Sequence, residues 1–260
     1  MAEREGMETA TYGREVLRKA ASLFGYAVRA ADGDVGKVDD LYFDDAAWTV
    51  RYFVVDTGTW LSGRLVLLSP AALAGRPDHE SKEIPVTLTR EQVRSSPEAE
   101  EHKPVSRQYE MDIAVYYGWP MYWTFGGFYN IAPPPPAYET EREERYAAEE
   151  QDPHLWSMRE VTGYRLQAID GEIGHIDDFL VDDGDWGIRY MIVDTRTWLP
   201  GRRVLLAPQW ISDISWEERK VYVDFTTDEI RSSPEYDPSA PVTAQYEKEL
   251  HQHYGAKLRK

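Results

Sequence analysis

The sequence predicts an all-β protein with short helices, arranged as two tandem small β-barrels related by internal duplication. Three observations predict this fold class. The two halves of the chain superimpose, each half alternates short β-branched and aromatic runs with turn residues, and neither half shows the pattern of a long crossover helix. With 260 residues, of which 42% are hydrophobic and 29% charged, the chain is long enough for two domains that each bury a core.

The repeat is visible without gaps over most of its length. A shift of 138 positions places residues 25–70 over 163–208, and 25 of these 46 aligned residues are identical. After one deletion the register continues at 137, where RSSPE recurs at 94–98 and 231–235. We therefore predict an N-terminal extension (1–20), a first barrel (21–110), an aromatic and proline-rich linker (111–158), a second barrel (159–247) and a C-terminal helical tail (248–260).

Each copy reads as a series of short strands separated by turns. In the first copy the Asp32-Gly33 pair is a two-residue hairpin signal, and runs rich in valine, tyrosine and phenylalanine favour strands. Thr89 has the residue type of a helix N-cap, with Pro97 ending that helix. The predicted strands are 26–29, 35–43, 50–55, 65–68 and 84–88, and a further helix is predicted near 105–117.

Two shared motifs resemble a known family. DG-x2-G-x2-DD at 32–40 and VDT-x2-WL-x-GR-x-VLL-x-P at 55–70 recur at 170–178 and 193–208, and both are similar to the PRC-barrel family. That barrel is named for the cytoplasmic domain of the photosynthetic reaction centre H subunit and also occurs in a bacterial ribosome-maturation factor. The tandem form with a YYGWP-type linker looks like the soluble two-domain bacterial members. The resemblance implies the barrel fold and supplies no catalytic residues, because the family has no shared catalytic motif.

Composition excludes several classes of function. The net charge of −17, with no basic stripe in either half, predicts no nucleic-acid binding. The lack of cysteine excludes disulfides, thiolate metal sites and cysteine nucleophiles. The sequence contains no run of about 18 apolar residues, so we predict no transmembrane segment. The charged N-terminus does not resemble a secretory signal. We expect a cytoplasmic protein without a cofactor.

Paired aspartates are the strongest candidates for a metal site. Clustered carboxylates near a strand end are ligands for Ca²⁺ or Mg²⁺. Neighbouring residues on a strand point to opposite faces, however, and the spacing is not that of an EF-hand loop, so we favour turn capping and solvation. The weak metal candidates are Asp39, Asp40, Asp44, Asp45, Asp177, Asp178, Asp182 and Asp183.

No catalytic constellation is predicted. Asp56 and Asp194 end strands that look buried, where a general base with a raised pKa is one reading, but no histidine recurs beside them. We favour a role in which their oxygens accept backbone N–H groups and hold the next turn. The recurring cations are expected to pair with these aspartates or with the aspartate pairs: Arg51, Arg189, Arg64 and Arg202.

The linker is unusually aromatic for a tether. Three readings stay open: it packs back across the barrels, it forms a contact with another protomer or protein, or it dips into a membrane surface. The interaction candidates are Tyr116, Tyr117, Trp119, Tyr122, Trp123 and Phe125 in the linker, with Trp60 and Trp198 in the barrels.

We therefore expect a non-catalytic binding or adaptor protein that serves stress tolerance or the assembly of a complex, with an unknown protein partner and homo-oligomers as one option. One alternative is a small-molecule or divalent-ion binder with its site in the barrel mouths or at their junction. Another is a peripheral partner of a membrane photosynthetic or electron-transfer complex, which depends on fold analogy alone.

Overall fold

The computed structural model of the protein describes residues 17–97, 107–122, 155–195 and 202–255. It confirms the all-β class with short helices: two sheets, of six and seven strands, account for 41% of the residues, and the helices are few and short. The described part of the chain contains no helix that is long and apolar enough to cross a bilayer.

The first sheet, here the N-terminal sheet, follows the predicted strands closely. Its strands are β2 (Ala27–Ala30), β3 (Gly33–Asp44), β4 (Thr49–Asp56), β5 (Leu65–Leu68) and β6 (Glu83–Pro85), in the order β5-β4-β3-β2-β6. The last strand is shorter than predicted. It ends at Pro85, which has no N–H for a ladder, and Val86 forms only an isolated bridge with Leu73.

The second sheet, here the C-terminal sheet, repeats that order with one more strand. It contains β8 (Arg165–Ala168), β9 (Gly171–Asp182), β10 (Ile188–Asp194), β11 (Arg203–Leu206), β12 (Ile211–Ser215) and β13 (Lys220–Val223), in the order β11-β10-β9-β8-β13-β12. In both sheets the first two strands of the half are antiparallel, as β2 with β3 and β8 with β9. The first strand also pairs in parallel with a later strand, as β2 with β6 and β8 with β13.

Two short strands cross between the halves. β1 (Leu17–Lys19) precedes the first half but pairs with residues 180–182 of β9. β7 (Leu155–Ser157) precedes the second half but pairs with residues 42–44 of β3. Since both pairings differ by 138 positions, the exchange is reciprocal and approximately two-fold symmetric. Each sheet is therefore completed by a strand that the sequence places beside the other.

Helices lie at the ends of each half. Thr89 is the N-cap of α1 (Arg90–Arg94) and forms a capping box with Gln92, and Thr226 does the same for α4 (Thr227–Arg231). α3 (Met158–Val161) follows β7. The longer helices, α2 (Arg107–Tyr117) and α5 (Ala244–Gly255), run through the predicted domain boundaries at 110 and 247, because each is one continuous helix packed on its own half.

One hydrophobic core joins the two halves. Most buried residues of both sheets form one cluster, in which the Phe43 and Phe179 ring centroids lie 5.5 Å apart, and a smaller cluster lies between β4 and α2. Backbone hydrogen bonds also join the two halves: the Val50 N–H donates to the Trp186 carbonyl at 2.9 Å, and the Ile188 N–H donates to the Trp48 carbonyl at 2.7 Å. The halves are therefore packed as one body.

Candidate functional site

Asp40 and Asp178 hold the exchanged segments in place. Asp40 is buried and accepts hydrogen bonds from the Ser157 hydroxyl and, at 3.0 Å, from the Arg159 N–H, which lies in α3. Asp178 is its counterpart and accepts from the Ala21 N–H at 3.1 Å. Burial raises the pKa of both carboxyls, although the hydrogen bonds oppose that shift. These aspartates therefore connect the halves.

Asp40 gives a prediction for pH dependence. Its pKa is raised above the ordinary 3.8, so the folded state binds more protons than the unfolded state, and its contribution to stability falls as the pH rises from about 4 through the folded pKa. Asp40→Asn keeps an oxygen acceptor for the backbone N–H groups without a charge. We expect the variant to gain stability relative to the wild type between pH 4 and 7, measured by urea unfolding. A stability difference that does not change with pH would contradict this.

The other paired aspartates bind partners within the protein instead of converging on one point. Asp44 and Asp182 each accept backbone N–H groups of the following turn and form salt bridges with Arg51 (2.8 Å) and Arg189 (2.9 Å). Asp45 accepts from the Trp156 indole N–H at 2.7 Å. Turn capping therefore describes Asp44 and Asp182, and five of the eight candidates are buried: Asp40, Asp44, Asp178, Asp182 and Asp183.

Three of the aspartates make further side-chain ion pairs. Asp39 pairs with Arg159 at 3.2 Å, and Asp177 pairs with Arg203 at 2.9 Å. Asp183 accepts from His79 at 3.0 Å and also contacts Arg18. The contacts of Asp39 and Asp183 again join segments from the two halves, whereas Asp177 pairs within its own half.

Asp56 and Asp194 occupy different environments despite the repeat. Asp56 is exposed and accepts from the Gly58 N–H at 2.8 Å, whereas Asp194 is fully buried. Arg64, expected to pair with an aspartate, donates to the Arg94 carbonyl at 3.0 Å and to the Ser96 carbonyl. Its counterpart Arg202 donates to the Ser233 carbonyl. These arginines hold the ends of α1 and α4 because helix C-termini present unsatisfied carbonyls.

A possible ligand cluster appears that sequence reasoning missed. Ligand atoms of His175, Asp177 and Asp194 lie within 4.8 Å of one another. The histidine does not recur between the halves, because the first copy has Lys37 at the position of His175. The signal was nevertheless present, since strand alternation places residues 175 and 177 on one face and β10 ends beside them.

The beginning of the aromatic linker packs on the N-terminal half. Trp119 stacks on Tyr117 with the ring centroids 4.2 Å apart. The Tyr122 ring lies 3.9 Å from the Arg51 guanidinium carbon, and its hydroxyl donates to Glu110 at 2.7 Å. The Tyr116 hydroxyl donates to the Gln92 carbonyl at 2.8 Å. Of the three readings of the linker, packing against a barrel describes these four candidates.

The remaining aromatic candidates do not join that group. Trp60 lies in a 3-10 turn, where its indole N–H donates to the Val35 carbonyl and its ring lies 4.4 Å from the Arg90 guanidinium carbon. It therefore contributes to the barrel rim. Trp123, Phe125 and Trp198 lie outside the described residues.

Two equivalent grooves lie on the part of the chain that the structure describes. The groove of the N-terminal half, here groove N, has a volume of about 210 Å³ and is lined by residues of β4 and α2, by the turn at 69–71 and by Trp119, Pro120 and Tyr122. The groove of the C-terminal half, here groove C, measures about 610 Å³. Its lining is shifted by 137 or 138 positions and includes Arg189, Tyr190, Glu247 and His251. Sequence reasoning missed both grooves, although Arg51, Tyr52 and Glu110 recur as Arg189, Tyr190 and Glu247.

Comparison with known proteins identifies the first half. A PRC-barrel domain is found at residues 15–93, which includes β1 to β6 and α1. No curated protein matches the chain closely enough to add a named relative.

Proposed function

We propose that the protein is a non-catalytic cytoplasmic adaptor, in which residues 155–255 form a second, duplicated PRC-type barrel and groove C binds a protein partner. The duplication is supported by the 25 identities over 46 aligned residues and by the shared strand order of the two sheets. A single core across both halves makes a rigid platform, which suits binding without large ordering costs.

Groove C is the observation that supports this function most directly. It is lined by both halves, since Ala46, Ala47 and Trp48 of the first half face residues of β10 and α5. Its lining includes the aromatic rings of Trp48 and Tyr190 and the guanidinium group of Arg189, which are residue types enriched at protein interfaces. Asp44, Asp45 and Asp182, by contrast, are occupied by contacts within the protein.

The adaptor proposal predicts a partner whose capture depends on groove C. His251→Glu adds a carboxylate to the lining, four residues after Glu247, where the two like charges repel each other and a bound partner would have to bury both. We expect affinity capture from the host to recover a partner with the wild type and to lose it with His251→Glu.

Gln252→Glu is the matched control. It makes a similar change at the next exposed position of α5, outside the lining of groove C, and is expected to retain the partner. Circular dichroism checks that both variants fold. Equal recovery with all three baits, or no partner with any of them, would contradict the proposal.

Divalent-ion binding is a second candidate function, favoured by His175, Asp177 and Asp194. Imidazole and carboxylate groups suit Zn²⁺ or Mn²⁺. If these residues bind an ion, millimolar concentrations should raise the melting temperature, because a ligand specific to the folded state stabilises it.

The first half supplies a matched variant for this test. His175→Lys reproduces the residue found at position 37 and places an ammonium group where the ion would bind. We expect this variant to fold and to lose any stabilisation by Zn²⁺ or Mn²⁺. A melting temperature that responds equally in wild type and variant would place the ion elsewhere.

A further inference from the structure

We propose that groove C binds a Pro-x-Tyr segment of another polypeptide, with the tyrosine hydroxyl on Glu247 and its ring against Arg189. This inference rests on the proposed binding function and names the class of partner. It follows from groove N, where the chain itself presents such a segment, Pro120-Met121-Tyr122, to the equivalent residues.

Groove N shows how the segment is recognised. The Tyr122 hydroxyl donates to Glu110 of α2 at 2.7 Å, and the Tyr52 hydroxyl of β4 approaches the same carboxylate oxygen at 3.3 Å. The Tyr122 ring lies over Arg51, which Asp44 holds by a salt bridge of 2.8 Å. A carboxylate for the hydroxyl and a fixed cation for the ring together select tyrosine.

Groove C presents the same chemistry on its own residues. The Tyr190 hydroxyl donates to Glu247 at 3.1 Å, as Tyr52 does to Glu110. Arg189 is held by Asp182 at 2.9 Å, as Arg51 is held by Asp44. The recognition pair of groove N is therefore reproduced in groove C.

Trp119, which immediately precedes the Pro-x-Tyr segment of groove N, has a substitute in the C-terminal half. In groove N, Trp119 stacks on Tyr117 at 4.2 Å. The counterpart of Tyr117 is Tyr254, which packs against Trp210 with the centroids 4.4 Å apart, and Trp210 stands where the first half has Ala72. Because the protein supplies this ring itself, the partner needs to supply only the proline and the tyrosine.

Differences in burial show which part of groove C remains accessible. Glu110 and Ala114 are buried in the first half, whereas their counterparts Glu247 and His251 are half-buried and exposed. The Arg51 side chain is 20% exposed and that of Arg189 is 33% exposed. These differences lie where Pro120 and Tyr122 cover groove N.

The chain sequence after α5 does not repeat the covering segment. Gly118 is followed by WPMYW, whereas its counterpart Gly255 is followed by AKLRK, which contains neither proline nor an aromatic residue. A tyrosine for groove C must therefore come from a different stretch of polypeptide, and the acidic Glu247 favours a hydroxyl donor over an acidic side chain.

A peptide with the sequence of residues 118–122, GWPMY, tests the proposal by calorimetric titration of the full chain. We expect saturable binding, about tenfold weaker for the matched peptide GWPMF because it lacks the hydroxyl. Glu247→Gln should weaken GWPMY binding and remove the difference between the two peptides. Glu249→Gln, the same change at an exposed position of α5 outside the lining, should alter neither.

Three results would overturn the proposal. One is a lack of saturation up to about 1 mM peptide, which corresponds to negligible affinity. Another is equal binding of GWPMY and GWPMF, or equal effects of Glu247→Gln and Glu249→Gln. The last is a dimer in sedimentation equilibrium that GWPMY dissociates, which would assign groove C to a second copy of this chain.

The capture experiment separates this inference from the adaptor proposal. If the peptides fail while a partner is still lost with His251→Glu, the adaptor function stands and the Pro-x-Tyr segment is wrong. If the peptides fail and no partner depends on groove C, both are wrong.

Discussion

Phe43→Ala is expected to lower the free energy of unfolding of the whole protein by about 3–5 kcal/mol. The variant should still unfold in a single transition, at a lower midpoint temperature. The side chain is fully buried and lies against Phe179 and Trp48, with ring centroids 5.5 and 5.6 Å away. Truncation removes the buried ring and leaves a cavity between the halves, which close-packed neighbours fill only in part.

The single transition follows from the exchange of strands. β3, which carries Phe43, pairs with β7 from the segment that leads into the second half, and β1 pairs with β9 in return. Loss of either half therefore removes a strand and part of the core from the other. Thermal unfolding followed by circular dichroism and by tryptophan fluorescence should give coincident curves.

Ile169→Ala provides the control for Phe43→Ala. Ile169 is 68% exposed, so removal of its apolar atoms should change the free energy of unfolding by no more than about 0.5 kcal/mol. Two separate transitions in the Phe43→Ala protein, with only one of them shifted, would show that the halves unfold independently and would contradict the shared core.

Gly174→Ala is expected to cost more than about 3 kcal/mol, and it has the second-largest predicted effect. A Cβ atom there would lie 2.0 Å from the Asp194 carbonyl oxygen, and Gly174 has a φ of +76°. The clashing atom belongs to the backbone of β10, so it cannot rotate away, and the left-handed conformation adds about 1 kcal/mol. Urea unfolding measures the total.

Two other glycines separate the clash from the strain. Gly36 occupies the same place in the first half, with a Cβ 2.1 Å from the Asp56 carbonyl oxygen, and Gly25 has a φ of +80° with nothing within 4 Å. The loss of stability in Gly36→Ala should therefore reflect the steric clash alone. Gly25→Ala should lose only about 1 kcal/mol, which reflects the backbone strain alone. Equal stabilities of the Gly25 and Gly174 variants would mean that β9 and β10 separate easily at this point.

Local features of the fold were predictable because they depend on neighbours within a few residues. β5 lies at the predicted 65–68, and the helix predicted to begin at Thr89 does begin there, with a complete capping box. Side-chain alternation, turn residues and caps act over this short range. The repeat of 138 positions likewise needs only a comparison of the sequence with itself.

The partners of charged residues were harder to predict. Arg51 was expected to pair with an aspartate and pairs with Asp44, seven residues away across a turn. Arg64 was expected to do the same but donates to carbonyls at the end of α1. A sequence shows which groups need partners, while the choice among distant partners depends on the packed geometry.

The main strands of each copy, the caps, the turns and the repetition of one unit could be predicted from the sequence, because they depend on residues close along the chain. Only the tertiary structure decided that β1 and β7 exchange between the sheets, because pairing of an edge strand depends on which chain segment reaches it. The grooves were decided at the same level. Residues 119–122 cover groove N, whereas no segment among the described residues covers groove C in the same way. This difference depends on how the helix, the sheet and the following chain meet in space.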